Sequence, residues 1–297
     1  MGGAGRIDAA MVLCAGLGTR LRPLTDEMAK PMVPVGDRPA VAHVVAQVRL
    51  AAVVPARIVV NVHHRPADVR AWAEAEHIAV SHEPELLGTA GGVAAAASLL
   101  GPGAVLVWNG DILSDLDPRE LLVESAAPSL ATLAVHARPA GQGNVGFAAD
   151  GSIVRLRNSS FGREDHGGDF LGIHVLGDAL RARLPERGCL VGDVYIPGLA
   201  RGERLQAHVT KASFVDIGSV AQYLAANAEW LRSRGLGSWA HPSAVLNAPI
   251  DGSVVGAGAV VDAPARRCVV WPAAHVQSAC DATVVTSARN AWVRGLP

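Results

Sequence analysis

An apolar run, Ala9–Cys14, feeds without a break into the loop Ala15-Gly16-Leu17-Gly18, and the pattern returns where Ala104–Trp108 ends at Asn109-Gly110-Asp111. Between them lie a β-rich run, Arg57–Val62, and stretches of helical composition at Val41–Ala52, Ala67–Glu76 and Gly91–Leu100. Strands alternating with helices predict βαβ units and an α/β fold with a mostly parallel, Rossmann-like sheet. Ligands on such sheets sit at the carboxyl ends of the strands, so the glycine loop and Asp111 are expected to face one crevice.

After Asp117 the texture changes. Ala131–Ala137, Val145–Ala148, Ile153–Leu156 and Phe170–Leu176 read as strands joined by turns such as Asp150-Gly151, which predicts an antiparallel or mixed extension. Ser213–Asp216 reads as a further strand and Val220–Arg232 as a helix, with Gly235-Leu236-Gly237 as a linker. From Trp239 onward small residues, Gly, Pro and Val dominate, and Val254 and Val260, Val255 and Val261, and Val270 and Val276 are each six apart. That period predicts a small left-handed β-helix of hexapeptide type, whose phase slips between Val261 and Val270. The expected organisation is a main domain over 1–234 and a β-helix tail over 235–297, through which the chain would form a homo-oligomer.

Half of the 297 residues are hydrophobic, enough for a sizeable core. With 26 basic and 27 acidic residues and no Lys/Arg stripe, the chain lacks the charge pattern that binds nucleic acid, and no such partner is expected. Cys14, Cys189, Cys268 and Cys280 form no CxxC pair, and no His/Cys grouping has zinc spacing. This usage fits a reducing, cytoplasmic setting. The start, MGGAGRIDAA, lacks a leader-like apolar region, and Val93–Trp108 is interrupted at Gly101-Pro102-Gly103, so no membrane segment is expected.

The densest chemistry lies in Ala15–Thr25 (AGLGTRLRPLT), followed by Lys30-Pro31. Gly16 and Gly18 permit close backbone approach, so N–H groups around Thr19 can cradle phosphate, and Arg20 and Lys30 supply fixed positive charge. A dinucleotide-binding loop fits less well: Leu21 stands at the third-glycine position, and Pro23, Pro31 and Pro34 forbid a helix opening at once. A P-loop is excluded, because no GKS or GKT follows. Asp111 and Asp216 each end an apolar strand, where a carboxylate is costly unless it meets a cation or donors. Two such groups beside a phosphate loop suit Mg²⁺. In Glu85–Gly92 (ELLGTAGG), Gly88 and Gly91 leave room for a flat ring, Glu83 or Glu85 can accept from it, and Thr89 can cap a helix. Cys14 reads as a buried packing residue, the histidines (63, 64, 136, 166, 174, 208) have no ligand spacing, and the six tryptophans read as packing anchors.

The glycine-loop segment resembles the signature of the sugar-phosphate nucleotidyltransferases, the NDP-sugar pyrophosphorylases. The likeness continues through Pro34-Val35, Arg38-Pro39, Glu85–Gly92, Asn109-Gly110-Asp111 and Phe214–Ser219, and so covers roughly 9–232. The resemblance implies an enzyme that joins an NTP to a sugar-1-phosphate. It places the NTP on Ala15, Gly16, Gly18, Thr19, Arg20, Glu85, Gly88 and Thr89, with Arg20, Lys30 and Asp111 catalytic. It places Mg²⁺ on Asp111 and Asp216, and the sugar against Gly110 and Gly172. Many relatives carry Glu-Lys-Pro after the strand equivalent to Ile153–Leu156; here Arg157-Asn158-Ser159 stands there, and Arg155 or Arg157 would take the lysine's place. Ala29 and Arg38 are smaller departures. LGTAGG with a hexapeptide-like tail leans toward GTP and mannose-1-phosphate, whereas the missing Glu-Lys-Pro and short tail suit a uridylyltransferase acting on N-acetylmuramate-1-phosphate. Two rivals are a regulatory paralogue without activity, which would be expected to lose one of the four charged residues, and a bifunctional enzyme whose tail transfers acyl groups.

Overall fold

The computed structural model describes residues 6–122, 129–287 and 292–294. Residues 1–5 of the MGGAGRIDAA start and parts of the final tail lie outside that range. The chain forms two compact units, Met1–Gly16 with Val44–Phe214, and Leu17–His43 with Val215–Pro297.

The first unit is built on a 10-stranded sheet. Its parallel half comprises β1 (Ala9–Leu13), β2 (Ile58–Val62), β3 (Ala79–His82) and β4 (Val105–Asn109), in the spatial order β4-β1-β2-β3. Ala10 faces Ile58 on one side and Leu106 on the other, and Val60 faces Val80. β1, β2 and β4 are near-continuous apolar runs, almost wholly buried, because the sheet is covered on both faces there. Helices Pro66–Ala75 and Gly88–Ala95 make crossovers. The other half is antiparallel except where Gln206–Val209 runs parallel to Ala131–Arg138. It holds β5 (Ala131–Arg138), β6 (Val145–Phe147), β7 (Ile153–Leu156), β8 (Ser159–Ser160), β9 (His166–Leu176) and β10 (Gln206–Val209). The long β9 joins the halves, pairing antiparallel with β4, β5 and β6. A core of Met11, Val59, Val107, Leu133, Leu176 and Leu205 runs through both, each side chain contributing ~1.5–3 kcal/mol by burial.

The expected elements are present with shifted ends, and the structure adds short strands that the sequence reading passed over. Gly91–Leu100 divides at Ala96 into Gly88–Ala95 and Ala97–Leu100. Val41–Ala52 tightens after Val48 into a 3₁₀ turn, and Ser213–Asp216 shortens to Val215–Asp216. In the large sheet the additions are β3, β8 and β10. β3 is short and mixed in character (Ala-Val-Ser-His), too weak a β signal to be read alone.

In the second unit, the helix Val220–Ser233 buries Tyr223, Ala226, Asn227, Trp230 and Leu231, one face of a 3.6-residue period. Ser219 caps it by accepting from the Gln222 N–H at 3.3 Å. That face receives the small hairpin Pro34–Val35/Arg38–Pro39. Tyr223 Oη donates to the Pro34 carbonyl at 2.6 Å and Asn227 Oδ1 accepts from Gly36 N–H at 2.9 Å. Gly36 turns the hairpin at φ 61°, and a Cβ there would lie 1.9 Å from the Trp230 ring.

The tail is a stack of parallel strands on three sides, nearly all of two residues, with Trp292–Arg294 pairing antiparallel to Thr283–Val285 at its end. Trp239 pairs with Val254, Val254 with Val269 and Val269 with Val284, while Val245 pairs with Val260 and Ile250 with Ala265. Each coil therefore takes fifteen residues. The six-residue spacing belongs to one side alone, Val254 to Val260, and the other sides take five and four, which accounts for the phase slip. Val255, Val270 and Val285 stack inside, as do Val261 and Val276.

Candidate active site

In the first unit, β1 and β4 end side by side, and their loops touch at once. Gly110 N–H donates to the Leu13 carbonyl at 2.9 Å, and a Cβ on Gly110 would stand 2.7 Å from Cys14 Sγ. Only a glycine lets the Asp111 loop lie this close to the start of the phosphate loop, Ala15-Gly16. Asp111 is half-buried there. Burial first, and the Asp111 charge second, push the Cys14 thiol well above its ordinary range, so it is a packing group and not a nucleophile. Gly172 on β9 has φ 72°, and a Cβ would meet the Asn109 side chain at 2.5 Å, which places it against the same loop.

Gly88 and Thr89 open the helix Gly88–Ala95, whose N-cap is Leu87 without a side-chain bond. Thr89 is therefore not the cap; its Oγ1 accepts from Leu190 N–H at 2.8 Å. The space left by Gly88 and Gly91 is taken by backbone: added Cβ atoms would meet the Gly188 carbonyl at 2.4 Å and the Glu186 carbonyl at 2.5 Å. Ala90 N–H donates to the Gly188 carbonyl and Gly188 N–H to that of Leu87, so the two segments are laced together. Glu85 is exposed and paired with Arg187. Glu83 is 1% exposed and hydrogen-bonded to Asn61 at 2.7 Å. Asn61 is the residue that sequence reasoning missed. The signal was an amide inside the apolar run Ile-Val-Val-Asn-Val, where a polar side chain needs a partner.

The two arginines after β6 have different fates. Arg155 donates to Glu164 at 2.7 Å and to the carbonyls of Gln142, Gly143 and Val145, so its fork is consumed in holding a loop. Arg157 stands exposed at φ 52° with Nη2 3.5 Å from Cys189 Sγ. Cys189 in turn neighbours Thr89. Burial raises its thiol, but hydrogen bonds from the Gly192 and Val191 N–H groups, Thr89 and Arg157 outweigh that and hold it below its ordinary value. The Arg157 guanidinium thus lies beside the Gly88–Thr89 loop.

In the second unit, Gly18 has φ 62°, and a Cβ there would stand 2.7 Å from Thr25 and 3.2 Å from Lys30. Thr25 Oγ1 donates to the Gly18 carbonyl at 2.9 Å. The loop is thus folded back onto Lys30 by its own sequence. Thr19 and Arg20 follow in a 3₁₀ turn, and Arg20 Nη2 reaches Asp216 Oδ2 at 4.0 Å. Gly218 makes room, since a Cβ would crowd both Arg20 at 2.9 Å and Asp216 at 3.0 Å. Among the described residues no group of three or more His, Cys, Asp or Glu could enclose a metal ion. A cleft of about 600 Å³ lined by Leu224, Leu231, Leu236 and Val269 contains none of the residues singled out above.

The family described as nucleotidyl transferase matches residues 9–156, the span that carries β1, the glycine loop, Gly88-Thr89 and Asp111. That segment is a nucleotidyl transferase domain. The chain is 34% identical over 121 residues to a mannose-1-phosphate guanylyltransferase of Mycobacterium tuberculosis, covering 38% of this chain and 32% of that one. It is 37% identical over 114 residues to an N-acetylmuramate alpha-1-phosphate uridylyltransferase of Neisseria meningitidis, covering 36% and 48%. These matches span a third to a half of the relatives' own length. Among solved structures, the UDP-glucose pyrophosphorylase of Acinetobacter baumanii shares the fold with a TM-score of 0.63 at 22% identity, over 78% of this chain and 96% of that one. Among the described residues no helix is long and apolar enough to cross a membrane.

Proposed function

We propose that this nucleotidyl transferase joins an NTP to a sugar-1-phosphate, giving an NDP-sugar and pyrophosphate. The observation that carries the reading is the meeting of the Ala15-Gly16 and Gly110-Asp111 loops at the carboxyl ends of β1 and β4, within a segment that matches the family. The sugar phosphate oxygen attacks the α-phosphorus in line as the P–O bond to pyrophosphate breaks. No covalent enzyme intermediate is needed, so catalysis rests on placement and charge. Backbone N–H groups around Gly16, Gly18 and Thr19 bind phosphate, Arg20 holds the leaving pyrophosphate, and Lys30 serves the reacting centre.

Asp111 and Asp216 are assigned to Mg²⁺. Both are hard oxygen donors, the chemistry that suits Mg²⁺. When bound, Mg²⁺ would neutralise phosphate charge. Arg157 is assigned to the sugar phosphate in place of the relatives' lysine, since Arg155 is already engaged, and Gly110 and Gly172 line the sugar. Residues 1–234 are assigned to catalysis and 235–297 to assembly. The first coil supports assembly, with Val245 and Leu246 49% and 45% exposed on strands that pair on one side only among the described residues.

GTP with mannose-1-phosphate is the first substrate pair, on the guanylyltransferase relative and LGTAGG. UTP with N-acetylmuramate-1-phosphate is the second, on the uridylyltransferase relative. A screen of four NTPs against both sugar phosphates, reading pyrophosphate release with and without Mg²⁺, tests all of this. Release with neither sugar would overturn the reading.

A further inference from the structure

Two polar side chains are buried among the apolar strand ends of the first unit. Asn61, on β2, is 3% exposed, and Glu83, just beyond β3, is 1% exposed. Burying a carboxylate is costly unless its lone pairs are met. Here each polar atom has a specific partner. Asn61 Oδ1 accepts from Cys14 N–H at 2.6 Å, Asn61 Nδ2 donates to Glu83 Oε1 at 2.7 Å, and Glu83 Oε2 accepts from Leu87 N–H at 3.1 Å. Gly92 closes over the pair, since a Cβ there would lie 2.7 Å from Glu83 Oε1 and 2.9 Å from Asn61 Nδ2.

The two ends of this relay are what matter. Cys14 is the residue before Ala15-Gly16, and Leu87 is the residue before Gly88-Thr89. The relay therefore runs through side chains from the start of the phosphate loop to the start of the helix whose Gly88 and Thr89 the resemblance places on the NTP, read here as the base loop. Relays of matched donors and acceptors in a low-dielectric interior are stiff, and a half-matched one is worse than none.

We propose that Asn61 and Glu83 are positioning residues that fix the spacing between the phosphate loop and the base loop, so that recognition of the base and placement of the α-phosphate are set together. This rests on the nucleotidyltransferase reading above. It differs from a direct role for Glu83, in which its carboxylate would accept from the base.

The two roles separate because the relay can be reversed in polarity. Glu83→Gln offers one acceptor where two donors need one each, and Asn61→Asp sets carboxylate against carboxylate. Each single change breaks the relay. Combined, they rebuild it: the introduced aspartate accepts from Cys14 N–H with one oxygen and from the introduced glutamine's amide with the other, while the glutamine's oxygen accepts from Leu87 N–H. Charge and donor count are unchanged.

The experiment measures kcat and KM for each NTP, and NTP binding by calorimetry, for the wild type, both singles and the double variant, well below their melting temperatures. Each single should lower kcat/KM by roughly 30-fold and narrow the preference for the best NTP over the others, with the double returning to within roughly threefold in both. The preference ratio matters because it does not depend on how much protein is folded. A folded double variant as poor as the singles would show that the Glu83 carboxylate acts on the substrate, and singles with wild-type preference would remove the positioning role. A wild type that binds NTP but releases no pyrophosphate overturns the enzymatic reading alone, because the binding ratios still judge the relay. A wild type that binds no NTP overturns both.

Discussion

Parallel strands occur twice in this molecule, with opposite results. In β1 to β4, helices separate successive strands, so the loops at the strand ends are free to differ in length and sequence, and Gly110 lets the loop after β4 lie against the start of the loop after β1. In the tail, strands of two residues are joined by corners of two to four, and the corners have no length in which to gather polar groups. The sheet places chemistry at its ends, whereas the coil only stacks. Parallel pairing by itself is neutral; the connections decide whether a site can form.

Four measurements break or sharpen that contrast. The largest effect is expected at a strand end. Asp111→Ala should reduce turnover by ~10³-fold or more, about 4 kcal/mol of transition-state stabilisation, while the melting temperature stays within a few degrees of wild type. Retained activity within tenfold would detach Asp111 from the reaction. The tail should behave in the opposite way. Val261 is fully buried in a coil, and Val261→Ala should cost ~1–3 kcal/mol in denaturant unfolding with kcat of the folded protein unchanged. A fall in kcat at full folding would contradict the separation.

Acid should also distinguish the regions. Burial pushes the His174 imidazole from its ordinary 6.5 down to about 3, and its Nδ1 is bonded to Tyr195 Oη at 2.7 Å. The unfolded chain then takes up a proton below about pH 6.5 that the folded sheet does not, so this contribution is present above that pH and is lost as pH falls toward about 3. The slope is at most ~1.4 kcal/mol per pH unit. His174→Gln should flatten the profile measured by calorimetry between about pH 7.5 and 5, and equal slopes in the two proteins would remove His174 as the cause.

The smallest effect compares two arginines two residues apart. Arg157→Ala should raise KM for the sugar phosphate about tenfold or less, with stability unchanged. Arg155→Ala, which strips donors from Glu164 and three carbonyls, should instead lower the melting temperature with KM hardly moved. Interchanged outcomes would move the anion contact to Arg155.

Much of this was legible from residue order. Ala9–Cys14 and Ala104–Trp108 were readable as strands because fully buried parallel strands are apolar throughout, and the fold of β1 to β4 follows from them. Gly18 was readable as a close-approach position, whereas the approach of Gly110 to Cys14 was not. What could not be read is whatever depends on partners distant in sequence. Gly88 and Gly91 admit the backbone of 186–188, almost 100 residues on, and Arg157 finds Cys189. The Asn61–Glu83 bond joins residues whose adjacency exists only once β2 and β3 pair. The tail's period was half legible, because valines recur at six on one side while the remaining sides use other residues and other lengths.

That uneven coil gives the tail something like a reading frame. Sides of six, five and four residues return to the same place only after fifteen, and Ser253, Cys268 and Thr283 occupy one buried column for that reason. Losing a single residue at a corner turns every later side chain inside out. Removing or duplicating a whole block of fifteen leaves each column in register, so this segment can lengthen or shorten only in whole coils.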